Sequence, residues 1–255
     1  MSQNRQTLAE EGFVVRSLAI DYRGGTRLDR HQHHWPQLVY AARGVMTVQV
    51  EEGLWVVPSH RAVWIPAETV HEIEMTGSVG MRTVYLSPQL AMQLPSRCVA
   101  IEVSGLLREL ILETVRNSML HRDVPVQARL IGVLLDQLAS IQAAPLRLPL
   151  PKHARLKAVL ERLRSLPLEG MSLEAVANEA CVSVRTLERV MTAETELTFV
   201  QWRLRMRMLH ALRLLAEEQS VTAVALAVGY QSPSAFIAAF KRELGVTPSD
   251  YHRAR

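Results

Sequence analysis

Between residues 13 and 86 the apolar positions come in short runs that often alternate with polar ones. Residues 14–20, 37–42, 45–50, 54–57, 62–65, 72–75 and 81–86 are rich in β-branched or aromatic side chains, which predicts seven strands. Gly24-Gly25, Gly44, Gly53, Pro58, Pro66 and Gly77 punctuate them, a spacing that suits a small sandwich or barrel. From Ser104 the period becomes that of a helix. Leu106, Leu107, Leu110, Ile111, Thr114 and Val115 form one stripe, and Leu130, Val133, Leu134 and Leu138 form another across 126–141. Two amphipathic helices are expected there, packed on the barrel or on a partner subunit.

Residues 143–154 then carry Pro145, Pro149 and Pro151. Proline cannot continue a helix and stiffens an extended connection, so this stretch reads as a linker between domains at 1–142 and 155–255. Beyond it the pattern is almost wholly helical, over 155–165, 173–180, 184–195, 198–216, 222–228 and 233–244. Two of these helices open on a serine after a tight turn. Ser183 caps one, and Ser232, followed by Pro233, caps the other; both are favoured N-terminal arrangements. With the apolar segments before them they make two helix-turn-helix patterns joined by the long helix at 198–216. The second helix of such a unit can enter a DNA major groove.

Charge sharpens this division. Residues 1–151 hold 14 Lys/Arg against 14 Asp/Glu, whereas residues 152–255 hold 15 against 11, so the net +4 lies wholly in the helical half. That is the sign needed to meet phosphates. The two cysteines, Cys98 and Cys181, sit in different halves and make no disulfide framework, which fits a reducing cytoplasmic home. The N-terminus lacks the order of a signal peptide, and no apolar run reaches the roughly 20 residues a membrane helix needs.

The residues from Leu173 through Ser183, Leu187 and Arg189, from Arg203 to Leu215, and from Ala227-Val-Gly229-Tyr230-Gln-Ser232-Pro-Ser234-Ala-Phe236 through Phe240-Lys241 to Gly245, Pro248 and Tyr251 resemble the AraC-type domain of bacterial transcription regulators. The resemblance covers about the last hundred residues. It implies that both reading helices meet one face of a duplex. By position it assigns Arg185, Thr186, Glu188 and Arg189 in the first unit, and Ser232, Pro233, Ser234, Ala235, Ile237 and Ala238 in the second, with Lys241 and Arg242 anchoring phosphates. The second helix has few hydrogen-bonding side chains, so Arg185 and Arg189 are expected to carry most base readout. The arginines of the linking helix, Arg203, Arg205, Arg207 and Arg213, offer a polar side for backbone phosphates, while Trp202, Phe236 and Phe240 are expected in the core.

Upstream, His31, His33 and Gln37 have the spacing of the first cupin motif, with glutamine where that family's glutamate ligand stands. Residues 60–71, closing on His71, have the spacing of the second motif, with His60 and Glu68 in place of its two usual glycines and Met75 in place of its terminal asparagine. The barrel therefore resembles the sensor that many AraC-type regulators carry. The inward-facing set His31, His33, Gln37, Tyr40, Trp64 and His71 is the expected effector pocket. His31, His33 and His71 could hold a divalent metal, but loss of a carboxylate removes the charge that favours a cation, and a pocket needing no cofactor is preferred.

The fold expected is thus α+β: a cupin-like β-barrel with two trailing helices, then an all-α domain of two helix-turn-helix units. The function expected is a cytoplasmic DNA-binding regulator that answers a small molecule. The resemblance points to homodimers, to RNA polymerase as a further partner, and to a neighbouring efflux transporter gene as target. The competing reading is a metal-dependent cupin enzyme with a DNA-binding appendage. The missing glutamate speaks against it, and it leaves the C-terminal half unexplained.

Overall fold

The computed structural model describes residues 12–139, 147–163 and 172–253. Its elements in chain order are β1 (Phe13–Tyr22), β2 (Arg27–His31), β3 (Gln37–Val50), β4 (Gly53–Val57), β5 (Arg61–Ile65), β6 (His71–Leu86), β7 (Val99–Glu102), α1 (Gly105–Asn117), β8 (Met119–His121) and α2 (Pro125–Ala139). There follow β9 (Arg147–Pro149), α3 (Ala154–Leu163), α4 (Leu173–Glu179), α5 (Val184–Thr195), α6 (Phe199–Ala216), α7 (Val221–Ala227), α8 (Pro233–Leu244) and α9 (Pro248–Arg253). The architecture is α+β, an antiparallel sheet domain followed by helices and then a helical helix-turn-helix domain. None of the described helices is long and apolar enough to cross a membrane.

The chain divides into two compact units, one of residues 1–48 and 57–144, the other of Gln49–Val56 and 145–255. In the first unit the strands run in the order β7-β5-β3-β6-β1-β8, with β2 added on β6. Two pairs of expected strands are each one long strand. Residues 37–50 continue through Gly44, and residues 71–86 continue through Gly77 and Gly80. Gly44 is not a turn but a point of close approach. Its φ is +78°, and a Cβ there would stand 2.4 Å from the carbonyl oxygen of Ser78.

Strand alternation gives the sheet two chemically different faces. Val15, Leu38, Tyr40, Trp64, Val84 and Leu86 lie on one, under Leu107 and Ile111 of α1 and Ile131, Leu134 and Leu138 of α2, in one buried cluster. Ser17 ties β1 to α1 from this side, its hydroxyl donating to the Thr114 carbonyl at 2.9 Å. Both expected helix stripes are therefore largely intramolecular core, yet Leu106, Val126 and Val133 remain 54%, 67% and 42% exposed. Gln37, Thr83 and Tyr85 belong to the other face.

The second unit departs from expectation at its start. Of the expected linker, 143–146 lie outside the described residues, as do 140–141 and 164–165 at the ends of two expected helices. Arg147–Pro149, however, is a strand, β9, paired antiparallel with β4 through Gly53↔Pro149, Leu54↔Leu148 and Trp55↔Arg147. Leu148 and Leu150 are buried, so this proline-rich stretch is packed structure rather than an extended tether. Polar β2, short β7 and β8, and α9 also fall outside the sequence reading, because too few residues carry their pattern.

Candidate functional site

Serines start four of the helices of the DNA-binding half, α4, α5, α7 and α8. Ser172, Ser183, Ser220 and Ser232 each have extended backbone and accept, on the side-chain oxygen, the amide three residues ahead. Each thereby satisfies one of the donors left orphaned in the first turn. The two turns between helices repeat the same hydrogen bonds. Cys181 and Val182 amides donate to the Asn178 and Ala177 carbonyls, and Gly229 and Tyr230 amides donate to those of Leu226 and Ala225. Gly229 has φ +81°, and Cys181 occupies the matching left-handed position at φ +53°. Residue type alone gave no sign that Cys181 takes a conformation glycine prefers.

Both helix-turn-helix motifs stand on α6, which α5, α7 and α8 all contact. Leu187, Met191, Trp202, Phe236 and Phe240 are fully buried, so the apolar backs of the reading helices are consumed in packing. Their fronts are open. Arg185, Glu188 and Arg189 are exposed on α5, as are Ser234, Ala235, Ala238, Lys241 and Arg242 on α8; Pro233 and Ile237 are half-buried. Ser232 and half-buried Thr186 are engaged locally. Ser232 is the α8 cap, and the Thr186 hydroxyl lies 2.8 Å from that of Ser183.

The α6 arginines do not form the solvent-facing row expected of them. All four are half-buried. Arg203 lies over the Phe199 ring at 5.9 Å, and Arg205 donates to the Arg147 carbonyl at 3.1 Å. Burial lowers the Arg205 pKa, with Glu243 opposing. Arg207 packs against Gly229, its guanidinium 3.5 Å from where a Cβ would be. The polar side of α6 thus also serves packing.

In the sheet domain, four of the six expected pocket residues come together. The rings of His31, His33 and His71 lie with centroids 4.3 to 6.2 Å apart. His33 does not continue β2; it lies in the following loop, and its ring also meets Tyr85 edge-on at 5.1 Å. Each of the three rings has Nδ1 against a backbone carbonyl, of Asp29, Trp35 and Thr69 respectively. Buried Gln37 holds the group from beneath. Its Nε2 donates to Thr83 Oγ1 at 2.7 Å and to the Tyr85 hydroxyl at 2.9 Å, and its Oε1 lies 2.8 Å from His33 Nε2. The Thr83 hydroxyl itself donates to the Leu38 carbonyl, so towards Gln37 it can only accept, which orients the amide.

Tyr40 and Trp64 do not join this pocket, a correction to the expected inward-facing set. Tyr40 is three residues from Gln37, and an odd separation along a strand reverses the face. Trp64 pairs with Leu38 and follows it under the helices, its indole donating to the Pro95 carbonyl at 2.8 Å. Burial raises the Tyr40 pKa, with Arg108 of α1 opposing, which agrees with that placement. Thr83 and Tyr85 take their place in the pocket. Their alternation within 81–86 was visible, but only strand register brings them beside Gln37. Trp35 packs against Phe13 with its ring tilted, and Trp55 lies in the second unit under Arg147, so both are packing residues. At the rim Glu68, with φ +59°, accepts from Gln32, pairs with exposed His34, and donates its amide to the His33 carbonyl.

The residues present do not fit a metal ion. Although the three rings cluster, no group of three or more His, Cys, Asp or Glu side chains among the described residues has donor atoms placed for one. His33 Nε2 lies 2.8 Å from the Gln37 amide oxygen. A neutral amide also adds no charge to favour a cation.

Comparison with known proteins agrees with both halves. Residues 17–166 match the model of an AraC-like ligand binding domain, and residues 176–254 that of a helix-turn-helix domain. The chain is 36% identical over 221 residues to the HTH-type transcriptional regulator NimR of Escherichia coli strain K12, covering 87% of this chain and 81% of that one. It is 39% identical over 103 residues to the HTH-type transcriptional regulator RipA of Corynebacterium glutamicum, covering 40% of this chain and 31% of that one. Among solved structures, fatty-acid-bound ToxT from Vibrio cholerae strain SCE256 aligns with 94% of this chain and 95% of its own at 10% identity and TM-score 0.40. The DNA-bound domain of AdpA aligns with 39% of this chain and 91% of its own at 34% identity and TM-score 0.37. The chain belongs to the AraC-type family of transcription regulators, with a ligand-binding domain ahead of a DNA-binding helix-turn-helix domain.

Proposed function

We propose that this regulator reads DNA through α5 and α8 and answers a small molecule held by His31, His33, Gln37 and His71 together with Thr83 and Tyr85. The observation that carries the DNA reading is the contrast between the two sides of α5. Leu187 and Met191 are fully buried, while Arg185, Glu188 and Arg189 stand exposed on a serine-capped helix. Arginine forks on guanine supply base readout there, and Glu188 selects against guanine by repulsion or accepts from cytosine. On α8 the exposed Ser234, Ala235 and Ala238 offer small, mainly apolar contacts to thymine methyls. Ser232, Thr186, Lys241 and Arg242 contact the phosphates. In gel-shift assays with the chain's own upstream region, retardation by the wild type that Arg185→Ala plus Arg189→Ala abolishes supports this assignment. Unchanged binding by the double variant removes it.

The effector reading rests on a cluster of imidazole, amide and phenol groups gathered on one face, with no carboxylate among them. It needs no metal, and no catalytic role is proposed. Effector binding favours one arrangement over another by its differential affinity, which is how it alters DNA binding. Exposed Leu106, Val126 and Val133 on α1 and α2 support a homodimer through that helical face. Contact with RNA polymerase, a cytoplasmic location and control of a neighbouring efflux transporter gene follow from resemblance to AraC-type regulators of this layout. Sedimentation of the wild type against Leu106→Glu plus Val133→Glu tests the dimer: persistence of one oligomeric state in both rejects it.

A further inference from the structure

The second unit contains eight residues from far upstream, Gln49–Val56. Within that unit β9 is held on both sides. On one side it pairs with β4, and the Glu52 carbonyl accepts from the Leu150 amide at 3.2 Å and from Arg147 Nη2 at 3.0 Å. Lys157 of α3 donates to the Glu51 carbonyl at 3.1 Å. On the other side the Trp202 indole of α6 donates to the Pro149 carbonyl at 2.8 Å, and Arg205 donates to that of Arg147. Leu54, Trp55, Leu148 and Trp202 are each at most 2% exposed, so nothing in this layer is solvated enough to slide freely. Gly53 is the closest approach. With φ +153° it sits where a Cβ would stand 2.6 Å from the Leu148 carbonyl oxygen and 3.2 Å from the Pro149 Cα, both backbone atoms that cannot swing aside.

We infer that the hairpin tip Gln49–Val56 is a working part of the DNA-binding half, with Gly53 and Trp202 as positioning residues that set α6, and through it both reading helices, by way of β9. Strand β3 passes without interruption from the first unit at Val48 into the second at Gln49, and it begins at Gln37 beneath the histidine cluster.

The inference rests on the DNA reading, and the test separates the two. A duplex is selected from a random library with the full wild-type chain, and its Kd is measured at a temperature where circular dichroism shows every variant folded. Gly53→Val and the milder Trp202→Phe, which keeps an aromatic ring but loses the donor and some volume, are each expected to weaken binding by about fivefold or more. Because both act through β9, the double variant should lose less than the product of the two. Gly132→Ala on α2, whose Cβ would meet nothing within 4 Å, should bind as the wild type does. A role confined to stability lowers Tm in both variants while Kd stays put, and that result overturns the inference even if only Trp202→Phe folds. Failure of the wild type to select any duplex removes the DNA reading itself, and this inference with it.

Discussion

Gln37 Oε1 stands 2.8 Å from His33 Nε2, with the amide's other end held by Thr83 and Tyr85. The contact places a neutral oxygen where a charged ligand would be needed to hold a cation, and it commits the one ring nitrogen that could complete a three-histidine set. The purified chain is therefore expected to hold less than stoichiometric divalent metal by elemental analysis, and EDTA should leave its Tm unchanged. Gln37→Glu restores a charge and should raise zinc uptake in a titration. One equivalent of metal in the wild type would reject this account of the pocket.

Lys241 and Arg185 are expected to fail differently when truncated. Arg185→Ala removes a base contact and should cost about 1–3 kcal/mol on a preferred duplex while leaving binding to a scrambled one nearly intact. Lys241→Ala removes a phosphate contact, so it should weaken both duplexes alike and lower the slope of log K against log salt by about 0.9. Affinities at several salt concentrations on the two duplexes distinguish these outcomes. Equal effects from the two variants would show that Arg185 also sits on the backbone.

Burial pushes the His60 pKa down to about 4 from 6.5, with Arg61 adding to the effect. The unfolded chain therefore binds a proton at this site between pH 6.5 and 4 that the folded chain refuses. Stability from the neutral ring is fully present above pH 6.5 and is lost as pH falls towards 4, a loss on the order of 3 kcal/mol. Urea midpoints of the wild type and His60→Gln, compared at pH 7 and pH 4.5, should converge as the pH drops. Parallel pH profiles would show that His60 titrates normally.

Cys181 turns the first helix-turn-helix at φ +53°, where the second unit uses Gly229. A side chain in this conformation costs about 1–2 kcal/mol, against roughly 0.5–1 kcal/mol of extra unfolded-state freedom for glycine. Cys181→Gly is thus expected to stabilise the chain by about 0.5–1 kcal/mol, seen as a rise in Tm of a few degrees, with DNA affinity unchanged. A fall in Tm would mean that the thiol packs more favourably than its exposure suggests.

Local patterns in the chain were enough to locate the DNA-binding machinery. Ser183 and Ser232 are caps because a short side-chain oxygen satisfies the first-turn amides wherever a helix starts, and Phe236 and Phe240 are core because their spacing is that of one helix face. Such facts involve residues three or four apart, so they can be read in order. The pocket and the second unit depend instead on which strands meet. Tyr40 and Trp64 fell on the helix-covered face, Thr83 and Tyr85 arrived under the histidines, and a proline-rich connection became a strand against Gly53. The α6 arginines likewise look solvated in one dimension and are half-buried in three. Pairing register and close backbone approach are properties of segments tens of residues apart, fixed by the packing of the whole sheet and rod, and only the tertiary structure decides them.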